Sequence, residues 1–204
     1  MDSSIYGNQK DILPLVMNWL AGRIEEINRR HKEDTGEGLY EHFICRVKTG
    51  ESMLEKCGRR GLPATPQSAL RVISDAVGMR IVTAFVDDIY AIIGELEKLD
   101  GCNIIERKDY ITNAKPNGYR SYHLILEVTA PYTDIDGNNP GKWFVEIQLR
   151  TIAMDSWAAL EHQMSYKRDI PGEELIRAEL KRCADELAAC DISMQTIRDL
   201  IRSS

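Results

Sequence analysis

The sequence predicts an α/β (α+β) fold, with helices interleaved among four or five strands of one mixed sheet. Apolar residues recur at helical spacing in some segments and at a spacing of two in others, and the two kinds alternate along the chain. Clusters of Gly, Pro, Asn and Asp mark most of the changes of period. The 204 residues, 43% hydrophobic and 28% charged, suffice for a real core; a chain of this length buries about two-thirds of its unfolded surface.

Residues 9–32 read as one long amphipathic helix, with Ile12, Leu15, Val16, Trp19, Leu20 and Ile27 on its apolar side. Asp34-Thr35-Gly36-Glu37-Gly38 ends it. FICRVK, 43–48, reads as a strand whose Phe43, Cys45 and Val47 oppose Ile44, Arg46 and Lys48. A short helix spans about 51–59, and another is expected from Pro66, a good first helical residue. A strand, VGMRIVTAF, follows Asp75. A helix over 87–99 places Ile89, Ile92, Ile93, Leu96 and Leu99 inward. Strands at 102–108 and 121–129 are separated by the turn-rich NAKPNG, and TDIDGNNPGK joins the latter to a strand at 143–150 as a hairpin with a long tip. Thr151 is a fair N-cap for a helix to about 167, and after Pro171-Gly172 a last helix spans 173–202. The whole is expected to be a single domain over 1–204, with its core at about 40–168 and the helices 9–32 and 173–202 as packing elements.

Composition removes several classes. No apolar run approaches the roughly 18 residues of a membrane span, and the first residues lack the basic-then-apolar layout of a signal peptide. Five cysteines, with no C-x-x-C pair, argue against a disulfide framework or a structural zinc site and fit a reducing cytosol. With 26 basic and 32 acidic residues the net charge is -6, unlike a general nucleic-acid binder. Yet residues 45–80 hold seven basic and three acidic residues, and 106–123 four and two. Basic charge gathered in two central segments of an acidic chain suggests a focused anion site.

Three patterns could carry chemistry. In WFVEIQLR, Trp143, Val145, Ile147 and Leu149 form an apolar face, and Glu146, Gln148 and Arg150 line the other in a row about 13 Å long. In SYHLILEV, Ser121, His123, Ile125 and Glu127 form the face opposite Tyr122, Leu124, Leu126 and Val128, so hairpin pairing would put His123 and Glu146 on one surface. Arg46, Lys48, Ser52, Lys56 and Arg59 ring a strand-to-helix turn with helix N-terminal amides at its centre, a geometry suited to polyphosphate though without a P-loop signature. Asp75, before the strand carrying Arg80, reads alone as a turn residue. Paired with Glu146 it becomes a candidate Mg²⁺ site, since that ion takes one or two carboxylates plus substrate phosphates.

Together R-V-K-x-x-x-S-x-x-E-K, D-A-V-G-M-R-I-V, F-V-D-D-I-Y, K-D-Y-I, N-G-Y-R-S-Y-H and E-I-Q-L-R-T-x-A-M-D-x-W-A-x-L-E-H resemble the RelA/SpoT synthetase domain. The nearest likeness is to the small stand-alone alarmone synthetases of the RelQ type, over about residues 9–200. The resemblance implies a five-stranded mixed sheet related to nucleotidyltransferases. It also implies transfer of pyrophosphate from ATP to the 3′-hydroxyl of GDP or GTP, giving ppGpp or pppGpp and AMP. On this sequence it implies an ATP side of Arg46, Lys48, Ser52, Lys56, Arg59 and Arg80, and a Mg²⁺ aspartate in Asp75. Tyr119 would stack on guanine, with Lys115, Asn117, Arg120, His123 and Gln148 around the acceptor nucleotide and Glu146 as the catalytic acid-base and second metal carboxylate. No His-Asp pair of a hydrolase domain precedes these motifs, so synthesis without degradation is expected. Two other readings stay open. A toxin-like relative would pyrophosphorylate the tRNA 3′ end, but the ten acids and seven bases of residues 155–204 count against an RNA surface. A non-catalytic binding module is opposed by the presence of Asp75, Arg80 and Glu146.

The last helix carries Ile176, Leu180, Cys183, Leu187, Cys190, Met194, Ile197 and Ile201 in alternating steps of four and three, a seam of 3.5-residue period. It could pack on the N-terminal helix of the same chain. The resemblance favours instead a homo-oligomer, a tetramer built through terminal helices; the cysteine usage and the lack of an apolar span point to the cytoplasm and to no membrane partner.

Overall fold

The computed structural model describes residues 5–165 and 173–203. A mixed five-stranded sheet lies at its centre in the order β1-β2-β5-β4-β3. The strands are β1 (His42–Val47), β2 (Val77–Thr83), β3 (Cys102–Asp109), β4 (Tyr122–Ala130) and β5 (Gly141–Thr151). β2 and β5 run parallel, and the other neighbours are antiparallel. The helices are α1 (Leu13–Thr35), α2 (Gly50–Arg59), α3 (Val86–Glu97), α4 (Ile152–Ser165) and α5 (Glu173–Arg202).

Period-two alternation dictates the layering. Trp143, Val145, Ile147 and Leu149 of β5 and Leu124, Leu126 and Val128 of β4 are buried, and α1 and α3 share one core with them. From α3, Ile89, Ile92, Ile93 and Leu96 enter that core as expected, and Asp87 and Asp88 occupy the first turn, where carboxylates suit the helix dipole. The stripe on α1 is displaced from the expected one. Leu13, Val16, Leu20, Ile24 and Ile27 are buried, and Leu15 is 46% exposed. The helix starts four residues later than expected because Gly7–Gln9 forms a separate 3₁₀ turn. That turn follows Tyr6, which is buried and donates its hydroxyl to the Lys48 carbonyl at 2.8 Å. Gly36, at φ 84°, ends α1 in the left-handed region.

The helix expected from Pro66 is a brief one, with π geometry at Ser68–Val72 and an Ile73 amide reaching back to the Ser68 carbonyl. Ile73, at φ -100° and ψ 127°, then turns the chain extended toward Asp75. The hairpin tip after β4 is organised by Asp134, which is buried. Its carboxylate accepts the amides of Asp136, Asn138 and Lys142 at 2.9, 3.0 and 3.0 Å, and Arg71 lies 3.2 Å away.

α5 packs along α4 and does not close on α1. Leu180, Cys183 and Leu187 gather around Trp157, whose indole donates to the Leu180 carbonyl at 2.8 Å. Beyond Cys190 the expected seam leaves its own chain: Met194, Ile197 and Ile201 are 51%, 52% and 70% exposed. They line a groove of about 660 Å³ against Asn28, His31 and Lys32 of α1.

Candidate active site

The apolar face of the sheet is spent on the core, so the polar side chains of the strands lie on the other. Strand register sets two rows across it. In one, Arg80 of β2, Gln148 of β5 and His123 of β4 are direct neighbours. In the next, Arg46 of β1, Gly78 of β2, Glu146 of β5 and Ile125 of β4 succeed one another. The hairpin pairing expected from alternation therefore holds, and His123 Nδ1 lies 3.5 Å from Glu146 Oε1. Gln148 donates to the other Glu146 oxygen at 3.1 Å. Burial pushes the Glu146 carboxyl up and Asp75 adds to this, but His123 and Gln148 outweigh both and hold it below the usual glutamate range.

Asp75 lies two residues before β2. One carboxylate oxygen, Oδ2, accepts from both Lys48 and Lys56. The other, Oδ1, is buried with no hydrogen-bond partner among the described residues. Burial raises this carboxyl, but the two ammonium groups prevail and keep it below the ordinary aspartate range. The expected ring of cations is therefore divided. Lys48 and Lys56 are tied to Asp75, and Arg46, Ser52 and Arg59 face solvent. The turn is also not an open nest of amides, because Thr49 caps α2 by accepting the Ser52 amide at 3.2 Å.

Arg150, only 6% exposed, is a hub that the sequence placed in the polar row without a role. It donates to Asp155 at 2.9 Å, to the Tyr119 hydroxyl at 2.8 Å and to Gln148 Oε1 at 3.1 Å. Asp155, in the first turn of α4, also lies 3.3 Å from Arg80. Arg80 keeps a buried Nε without a partner among the described residues.

The segment before β4 holds the aromatic site. Tyr119 is half-buried and fastened, not the exposed ring that its place after an Asn-Gly turn suggests. Its hydroxyl lies 2.8 Å from His123 Nε2, and its ring meets Tyr110, His123 and Trp157 edge-on. The Tyr119 hydroxyl thus bridges Arg150 and His123, whose other ring nitrogen faces Glu146. Lys115 Nζ lies 4.7 Å over Tyr110 and 4.8 Å over Tyr119. Asn117 is a turn former, its Oδ1 accepting the Tyr119 amide at 3.1 Å. Arg120 departs from expectation. It lies in the loop before β4, outside the strand alternation, and reaches α5 instead, donating to the Ala184 carbonyl at 3.3 Å and to Asp185 at 3.4 Å. Gly118, at φ 94°, is pressed on that helix: a Cβ there would stand 2.5 Å from the Ala184 methyl.

A family model described as the region found in RelA/SpoT proteins matches residues 45–171, which span this whole surface. The chain belongs to the RelA/SpoT family. Over 94% of its length it is 35% identical to the GTP pyrophosphokinase YwaC of Bacillus subtilis, covering 89% of that protein. This RelA/SpoT chain also superposes on solved relatives. The small alarmone synthetase 1 of Bacillus subtilis bound to its product pppGpp matches with a TM-score of 0.80 at 30% identity, over 93% of this chain and 94% of that one. The same synthetase bound to AMPCPP matches with a TM-score of 0.75 at 27% identity, over 94% and 95%. The mixed sheet and long C-terminal helix are thus shared with small alarmone synthetases.

Proposed function

We infer that this chain is an alarmone synthetase, a GTP pyrophosphokinase of the small type. The 3′-hydroxyl of GDP or GTP attacks the β-phosphorus of ATP, the bond from that phosphorus to the α-bridging oxygen breaks, and AMP leaves as ppGpp or pppGpp forms. Glu146, held ionised by His123 and Gln148, accepts or orients the hydroxyl proton. Arg46, Arg59 and Arg80, with Lys48 and Lys56, surround the ATP phosphates and offset charge on the departing oxygen. Ser52 and Gln148 line the two substrates. Tyr119 offers the guanine platform, with Lys115 and His123 beside it. Asn117 and Arg120 act there by shaping the loop.

The observation that carries this reading is the orphaned Asp75 Oδ1, buried beside paired lysines and within electrostatic reach of Glu146. An acceptor oxygen without a donor fits a cation. Among the described residues no cluster of three or more His, Cys, Asp or Glu could hold a metal by itself, which suits Mg²⁺, an ion that completes its shell with substrate phosphates. Asp75, with Glu146, would hold it, and the ion would supply charge neutralisation of the phosphates. The test is product identification after incubating the protein with Mg²⁺, ATP and either GDP, GTP or tRNA. AMP and a guanosine 3′-diphosphate support the reading. ADP, no turnover, or label transferred only to tRNA refutes it.

The exposed end of α5 supports a homo-oligomer, a tetramer, with a second copy covering Met194, Ile197 and Ile201 beside the groove to α1. All five cysteines are free thiols, which suits the cytoplasm we assign. Among the described residues no helix is long and apolar enough to cross a membrane.

A further inference from the structure

Gly78 is the second residue of β2 and lies between two functional side chains in the same cross-sheet row. Arg46 precedes it and Glu146 follows it, and neighbouring strands stand about 4.8 Å apart. Arg80, two residues on, shares its face. Nothing local calls for glycine here. Gly78 does not have a positive φ. A Cβ built on it would meet no described atom within 4 Å. Glycine inside a strand weakens it, because it loses more conformational freedom on folding and packs no side chain. The residue therefore costs stability without relieving any contact of the protein itself.

A glycine that neither backbone shape nor packing requires marks a place where something else approaches the backbone. Two further observations bear on the same place. Asp75 Oδ1 and Arg80 Nε, three residues before and two after Gly78, are both buried and without partners among the described residues. One is an acceptor awaiting a cation and the other a donor awaiting an anion. Between them the row presents bare backbone.

We propose that Gly78 is the floor of the reaction centre, its absent side chain admitting the ATP triphosphate against the sheet between Arg46 and Glu146. The inference rests on the synthetase reading and adds a positioning residue to it. A methyl at this point would lift the phosphorus from the acceptor hydroxyl that Glu146 orients, and a misplacement of about 1 Å can cost about 10²-fold in rate. The aromatic pocket around Tyr119 lies two strands away, on the acceptor side, and would be untouched.

The test compares wild type, Gly78→Ala and Gly78→Val in the full chain by thermal unfolding and steady-state synthesis. Both variants should unfold at or above the wild-type temperature, since alanine and valine suit a strand better than glycine. Synthesis should fall about 10-fold for alanine and about 10²-fold or more for valine, with KM for ATP raised and KM for GDP within about threefold. Wild-type rate and KM for ATP in Gly78→Val would overturn the inference. A lowered unfolding temperature for both variants, or equal loss for both nucleotides, would make the glycine structural and overturn it too. Absence of product from the wild-type protein would instead refute the synthetase reading.

Discussion

Tyr119 joins two tasks that a pair of substitutions can separate. Its ring is the proposed guanine platform, and its hydroxyl links Arg150 to His123, and through His123 to Glu146. Tyr119→Phe keeps the ring and removes two contacts of 2.8 Å. Arg150 retains Gln148 and Asp155, at 3.1 and 2.9 Å, so the hub survives. His123 Nε2 loses its partner, and for this partly buried side chain the loss costs at most about 1–3 kcal/mol, the range for a buried polar group. If about 1–2 kcal/mol of that appears in the aligned state of Glu146, kcat falls about 5–30-fold, with KM for GDP nearly unchanged. Tyr119→Ala removes the platform as well. A stacked base contributes about 1–3 kcal/mol, so KM for GDP should rise about 5–150-fold, and KM for ATP far less. Initial rates over a grid of both nucleotides give all four constants. Equal KM for GDP in the two variants would deny the ring its platform role, and an unchanged kcat in Tyr119→Phe would show the link to His123 to be idle.

Three further outcomes follow from the same geometry. Glu146→Gln should lower synthesis by about 10²–10⁴-fold while ATP binding, measured by calorimetry, persists; near-normal turnover would remove Glu146 from proton handling. Ile197→Lys should split the oligomer, read as a light-scattering mass falling toward 23.2 kDa. Leu187→Lys is the poorer probe because Leu187 packs on Trp157 within its own chain, and a wild-type mass already at that of the monomer would refute the assembly. Asp191 is buried and accepts the Thr151 hydroxyl at 2.7 Å, and burial raises its carboxyl above the ordinary range despite that bond and Arg120. A carboxyl raised in the folded state adds stability below its unfolded pKa of about 3.9 and loses it as pH rises through the folded value. The unfolding temperature of Asp191→Asn minus that of wild type should therefore grow from pH 4 to pH 7, and a constant difference would show that Asp191 does not titrate on unfolding.

The sheet and its polar face were legible because strand alternation is a local rule. It placed His123 and Glu146 on one surface from two short strings of residues. The rule fails where regular structure ends. Arg120 precedes β4 and follows the loop onto α5, and Tyr119 is fixed by partners as distant in sequence as Arg150 and Trp157. Counting charges pointed to a focused anion site but not to the pairing of its cations, since Lys48 and Lys56 meet Asp75 only when β1, α2 and the start of β2 converge. The seam of α5 was visible as a period, but a period does not record which half meets the chain's own Trp157 and which meets solvent.

The close seating of Gly118 on Ala184 has a consequence for how such a chain tolerates change. The height of the loop bearing Tyr119 is gauged by a single methyl on a helix more than sixty residues away in the sequence. Any larger residue at 184 would lift the loop, and any side chain at 118 would do so from the other side. The two positions form a lock whose halves cannot drift independently, and an exchange of α5 between relatives would reset the height of the Tyr119 loop along with it.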